Sequence, residues 1–309
     1  MAAFDDYVGI DWTGALPARG IAIAHGVPSD GRIHLVPPPG RHWTRRQAMD
    51  WVAGRVRAAH AAGRTVLIGI DCGFSLPFVP GLGYLDGRVP GVGDVFALWD
   101  LVDQAAGDGP GAEDFCGTPA LADPRLGPSF WLAGKRPAHW TDEEGGGKRR
   151  LVELVSARTG AGHPVSVFNL AAASKQVGKA SLAGMRSLRY LKGRLGDALA
   201  VWPAEGAQMD GRSAVAEIFP TLFRRRAVGL AKIRDRVMLD AALAWFGCHA
   251  APDLPPAFDD HAGDAMIAAA GMMRLAERDA VWAPIGLDPG TARREGWIFG
   301  VTGTAEEGA

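Results

Sequence analysis

Apolar positions in the first part of the chain fall into short runs separated by turns. Tyr7-Val8-Gly9-Ile10-Asp11 is the first, an apolar run that ends in an acid. Gly20 to His25 and Arg32 to Val36 follow, separated by Asp30-Gly31, a strong hairpin dipeptide. Runs of this length with tight turns predict an antiparallel meander. Thr44 then suits a helix N-cap, and Ala48, Trp51, Val52, Val56 and Ala59 recur at helical spacing as far as the stop at Gly63. Thr65 to Asp71 is near-continuously apolar, as buried strands are, and it too ends in an acid. The predicted order is β-β-β-α-β.

Residues 72–212 are dense in glycine and proline at first and read as a large insertion within a single domain spanning 1–309. A helix is expected around Val92 to Ala106 and a strand over Pro164 to Phe168. Ser213 to Pro220 reads as another strand, with Glu217 among apolar neighbours. Leu230 to Phe246 reads as a helix with Leu230, Ile233, Val237, Ala241 and Ala244 on its core face. A proline-rich connector leads to a last strong helix, Asp264 to about Arg278. The expected class is α/β: a mixed sheet, three antiparallel strands then parallel ones, flanked by helices.

Acids at strand ends call for a reason, because Asp is depleted in strands. If the strands ending in Asp11 and Asp71 are neighbours, both carboxylates project from one sheet edge. Glu217 sits in a third strand and Asp264 in a helix that would cross the sheet. Clustered carboxylates repel one another, and burying them is costly without a neutralising cation. Hard oxygen ligands suit Mg²⁺ or Mn²⁺, and two such ions can clamp the attacking and leaving oxygens of a phosphodiester displacement. Plainer roles suit the same residues. Asp11 and Asp71 could cap turns, Glu217 could be an ion-pair partner, and Asp259, Asp260 and Asp264 could be acids favoured by a helix N-terminus. His261 lies between acids, three residues before Asp264, where it could serve as ligand, base or structural group.

The chain has 309 residues, 48% hydrophobic and 22% charged, with a net charge of −1. That balance excludes a uniformly basic nucleic-acid binder. It hides a polarity along the chain, however. Residues 175–236 hold 13 Lys and Arg against five acids, net +8, and residues 86–123 are net −7. The basic span could follow a phosphate backbone, with Lys175, Lys179, Ser181 and Arg186 as substrate-binding candidates, or it could be a solvated helix face. Three scattered cysteines without C-x-x-C spacing argue against a disulfide framework or thiolate zinc site. With neither a signal-peptide pattern nor a membrane-length apolar run, a cytoplasmic location is expected.

Several motifs together resemble a known family. The strand order with Asp11 and Asp71 and a late acid-headed helix resembles the RNase H-like fold. His261-Ala262-Gly263-Asp264-Ala265 resembles the helix segment of Holliday-junction resolvases of the RuvC type. The whole chain more closely resembles the domain-of-unknown-function 429 family of predicted nucleases. The matching pieces are Gly9-Ile10-Asp11, Gly69-Ile70-Asp71 with Pro77, Ser166 to Leu170, Gln176 to Met185, Ala216 to Pro220, Asp260 to Ala265 and Glu295 to Ile298. The resemblance implies Asp11, Asp71, Glu217 and Asp264 as metal-binding carboxylates, with Asp260 or His261 as auxiliary ligand or base. It implies a metal-dependent nuclease with nucleic acid as partner. One departure is Trp12, where many relatives carry a more Gly-rich turn; its bulk would narrow access. Two other functions are open: an actin-like ATPase or phosphotransferase, since Asp11-Trp12-Thr13-Gly14 is similar to its phosphate loops, and a non-catalytic interaction module.

Overall fold

The computed structural model describes residues 4–132, 140–170 and 176–305. β1 (Asp6–Asp11), β2 (Ala22–Val27) and β3 (Arg32–Val36) form the expected meander, with Ile10 opposite Ile23 and His25 opposite His34. Thr44 caps α1 (Arg45–Ala61) in a reciprocal capping box: its hydroxyl accepts from the Gln47 N–H and the Gln47 side chain accepts from the Thr44 N–H. α1 returns the chain to β4 (Val66–Ile70), which pairs in parallel with β1.

A small hairpin of β5 (Phe78–Val79) and β6 (Gly83–Tyr84) follows, then α2 (Val95–Ala106), α3 (Leu151–Thr159) and α4 (Val177–Leu195). β7 (Leu199–Val201) and β8 (Ser213–Glu217) complete the parallel half of the sheet. The remaining elements are α5 (Pro220–Val228), α6 (Arg236–Trp245), β9 (His249–Ala250), α7 (Asp260–Leu275), α8 (Asp279–Trp282) and α9 (Pro289–Arg294). The result is an α/β structure around a seven-stranded mixed sheet of order β7-β8-β4-β1-β2-β3-β9. Among the described residues, no helix is long and apolar enough to cross a membrane.

Strand alternation divides the core in two. Val8, Ile10, Ile68, Ile70 and Val215 pack with α1, α2 and α4 on one face. Tyr7, Leu67, Ala214 and Ala216 pack with α5, α6 and α7 on the other. Gly9 and Gly69 lie at the centre of the α7 face. A Cβ on Gly9 would stand 2.4 Å from the Ala265 carbonyl oxygen, and one on Gly69 would stand 2.5 Å from Met272 Sδ. With those side chains absent and Ala265, Ala268 and Ala269 on the helix, α7 seats directly on the sheet backbone.

The structure departs from the sequence expectations in three segments. Pro164 to Phe168 forms no strand. Pro164 lacks a ladder N–H, and the Ser166 hydroxyl instead donates to the Lys148 carbonyl and accepts from the Phe168 N–H. The helix expected from Leu230 begins only at Arg236, where Asp235 caps it, and its core face is Leu239, Ala242 and Leu243. Val237, Ala241 and Ala244 are exposed, and Ile233 is buried from the preceding loop. Lastly, β7 lies inside the expected insertion yet pairs with β8 in the main sheet.

Candidate functional site

Parallel pairing sets Ile10 opposite Ile70, so the next residues, Asp11 and Asp71, leave adjacent strand ends side by side. The Asp71 N–H donates to the Ile10 carbonyl at 3.0 Å, continuing the ladder one residue past β4. Alternation puts both acids on the face of Gly9 and Gly69, the face α7 covers. α7 is capped by Asp259, whose carboxylate accepts from the Ala262 N–H at 2.9 Å, and its first turns carry Asp260, His261 and Asp264. His261 Nδ1 lies 2.6 Å from Asp11 Oδ2, joining helix to strand end. Gly20 makes room for this contact, since a Cβ there would stand 2.8 Å from His261 Nε2.

The electrostatics of this corner are strained toward protonation. Burial pushes Asp11 up to about 6; the His261 hydrogen bond opposes the rise and the Asp264 charge adds to it. Asp71 rises well above the ordinary carboxylate range, through burial first and then the charges of Asp11 and Asp264. His261 is raised chiefly by its hydrogen bond to Asp11. At Asp260 burial is outweighed by Lys232, its own backbone N–H and Arg234, so its carboxyl is lowered. Asp264 is fully engaged: Oδ1 accepts from Arg224 Nη1 at 2.5 Å and Oδ2 from Lys232 Nζ at 2.6 Å. Lys232 also stands 3.7 Å from Asp260.

Glu217 is held apart from the side chains of this group, although its charge adds to the rise at Asp71. It is in register with Ile70, which turns it toward the opposite face with Val215. There both its oxygens are taken by Arg150, at 2.6 and 2.7 Å, and Oε2 also accepts from the Phe74 N–H at 2.9 Å. The buried Arg150 is shared with Glu153, whose carboxyl burial pushes up to about 7. In this structure the Glu217 lone pairs serve a buried guanidinium and the backbone of the loop after Asp71, not the Asp11 and Asp71 corner. The Ser181 hydroxyl holds that same loop, accepting from the Gly73 N–H at 3.2 Å and donating to the Val177 carbonyl. Ser181 is wholly buried, which removes it from the substrate-binding set.

No family model, curated protein or solved structure matches the chain.

The other basic candidates divide. Arg186 is buried, with its guanidinium on Asp103 at 2.7 Å and the Cys116 carbonyl at 2.6 Å, so it is structural and out of reach of a polymer. Arg189 binds Asp100 and Asp103, and Lys192 binds Glu205. Within the basic span, Arg186 and Arg189 are thereby paired with the acidic segment of α2. Lys179 is half-buried in the first turn of α4, against the loop at Gly14. Lys175 lies outside the described residues. Trp12 does not narrow the site; alternation turns it into the core of the opposite face, near Gly184.

Among the described residues, no three His, Cys, Asp or Glu side chains are already arranged around a common metal position. The chemistry of the Asp11 and Asp71 pair still fits a hard divalent cation. Both are oxygen donors, both are pushed up by burial and by like charge, and a cation would relieve both causes. Asp264 fits only if Lys232 gives up Oδ2. Sequence reasoning missed Arg150 and the pairing of Arg224 and Lys232 with Asp264. The one available signal was that buried carboxylates in this number require cations.

Proposed function

We propose that the chain is a metal-dependent phosphodiester hydrolase of RNase H-like architecture acting on nucleic acid, as its resemblance to the domain-of-unknown-function 429 family implies. The observation that carries this reading is the pair Asp11 and Asp71, side by side at the ends of adjacent parallel strands, where burial and neighbouring carboxylates outweigh the opposing effects of His261 and Lys232. The β-β-β-α-β order and the crossing of α7 over that strand end support it.

Asp11 and Asp71 would hold Mg²⁺ or Mn²⁺, with Asp264 and Asp260 beside them. The ion would supply Lewis acidity and lower the pKa of water enough for attack at neutral pH. His261, oriented by Asp11 through Nδ1 and partly open to solvent, is placed to take up a proton released at the site. Lys232 and Arg234, paired with Asp264 and Asp260, would turn positive charge toward a phosphate backbone once those acids meet the ion.

The test is cleavage of labelled single-stranded, duplex and branched DNA and RNA with Mn²⁺, with Asp11→Asn and Asp71→Asn as controls. Mn²⁺-dependent cleavage that falls at least about 100-fold in both variants is the expected outcome. Cleavage that persists in chelator, or at full rate in Asp71→Asn, overturns the assignment.

A further inference from the structure

Lys232 stands where the site has most need of positive charge. Its Nζ is 2.6 Å from Asp264 Oδ2 and 3.7 Å from Asp260 Oδ2, and its charge also opposes the upward shifts of Asp11 and Asp71. It belongs to no helix or strand, lying in the loop between α5 and α6, and its side chain is 43% exposed. The fold nevertheless builds this approach. The adjacent Ile233 is completely buried and anchors the loop. α7 admits it only because residue 263 is glycine: a Cβ there would stand 2.3 Å from the Ile233 carbonyl oxygen. Asp264 keeps a second, buried cation in Arg224, so losing Lys232 would not leave it bare.

We infer that Lys232 is a tethered, exchangeable cation: it neutralises the carboxylate corner in the metal-free chain and releases Asp264 Oδ2 when a divalent ion enters. This rests on the metal-site reading above and adds what that reading lacks, a route by which Asp264 becomes available. The two cations at Asp264 divide the work by their attachment. Arg224 is buried on a helix and stays; Lys232 is half-exposed on a loop and can move away into water. A lysine ammonium is strongly hydrated, which makes its transfer to solvent feasible at modest cost. Once released, Nζ remains at the rim, available to a phosphate oxygen of the substrate.

Two measurements on the full chain test this, neither of them an activity. Amine-directed acetylation read by mass spectrometry should modify Lys232 slowly in chelator and about tenfold faster with saturating Mn²⁺, while Lys192, paired with Glu205 away from the site, keeps a constant rate. Calorimetric titration should show Lys232→Met binding Mn²⁺ about tenfold more tightly than wild type, and Lys232→Arg restoring wild-type affinity. Mn²⁺ binding in wild type with Lys232 still protected, and equal affinity in Lys232→Met, overturns the exchange and leaves the metal site standing. Absence of Mn²⁺ binding from both wild type and Lys232→Met overturns the metal-site reading and the exchange with it.

Discussion

Glu217→Gln separates a ligand from an anchor. In the structure Glu217 gives both oxygens to the buried Arg150, at 2.6 and 2.7 Å, and one also receives the Phe74 N–H. Removing one partner of a buried ion pair costs about 3–5 kcal/mol when the other charge is left alone. Arg150 is not left alone, because Glu153 remains 3.0 Å from its Nε and the Glu295 carbonyl 3.3 Å from Nη1. Glutamine also retains one acceptor oxygen. The expected loss is therefore below that range, about 2–3 kcal/mol, or roughly 5 °C in Tm for a chain of this size. Because both Glu217 oxygens are taken by Arg150 and the Phe74 N–H, and only its long-range charge reaches Asp71, Mn²⁺ affinity should change less than about threefold. Denaturant unfolding in chelator and a calorimetric Mn²⁺ titration read the two quantities separately. A variant as stable as wild type to within about 0.5 kcal/mol, but with Mn²⁺ affinity down more than tenfold, would refute the placement of Glu217 as an anchor.

Asp11→Asn should change how stability depends on pH. Asp11 is raised from 3.8 to about 6, so in chelator its contribution is fully present below pH 3.8 and is lost as pH rises through about 6. Relative to the Asn variant, wild type should lose on the order of 2–3 kcal/mol over that window, measured by unfolding at successive pH values; parallel curves would contradict the burial argument. Ser181→Ala leaves the Gly73 N–H without its acceptor and should cost about 1–2 kcal/mol in the same unfolding assay, while no loss would show that the loop after Asp71 is held elsewhere. Gly9→Ala drives a Cβ against the Ala265 carbonyl and should destabilise by about 3 kcal/mol, seen as a large fall in Tm; a neutral result would mean that α7 can lift off the sheet. Mn²⁺ added to chelator-treated wild type should raise Tm, and Asp71→Asn should abolish that rise; an equal rise in the variant would place the ion elsewhere.

The parts of the fold legible in the sequence were those written in local periodicity. Asp30-Gly31 marked the β2–β3 turn, Thr44 marked the start of α1, and the acids at Asp11 and Asp71 marked strand ends that do sit together. Glu217 was harder because an isolated strand shows alternation but not which face is which. Only the pairing of Glu217 with Ile70 turns its carboxylate away from the other acids. The Arg186 role depended on a partner 83 residues away, Asp103, so a charge pattern read along the chain could not distinguish a binding face from an internal bridge. At α6 the helical periodicity is real but its phase differs from the expected one: Leu239, Ala242 and Leu243 go inward, and Val237 and Ala241 go outward. Both phases offered apolar residues at helical spacing, and tertiary packing chose between them.

The seating of α7 on Gly9 and Gly69 also governs where this molecule can move. At Gly9 the helix backbone lies directly on the strand, and at Gly69 the Met272 and Ile218 side chains fill the space a Cβ would take, so neither position leaves room for the helix to slide. The amides of β1, β4 and the middle of α7 should therefore exchange with solvent only when the whole domain unfolds, as one cooperative unit. Any motion that admits a ligand then falls to exposed chain beside this floor, residues 229–232 above all, since the buried Arg45 holds the Thr13 and Ala15 carbonyls of the turn after β1. In hydrogen-exchange terms, the amides of β1 and α7 should outlast those of residues 229–232 beside them, although both line the same corner.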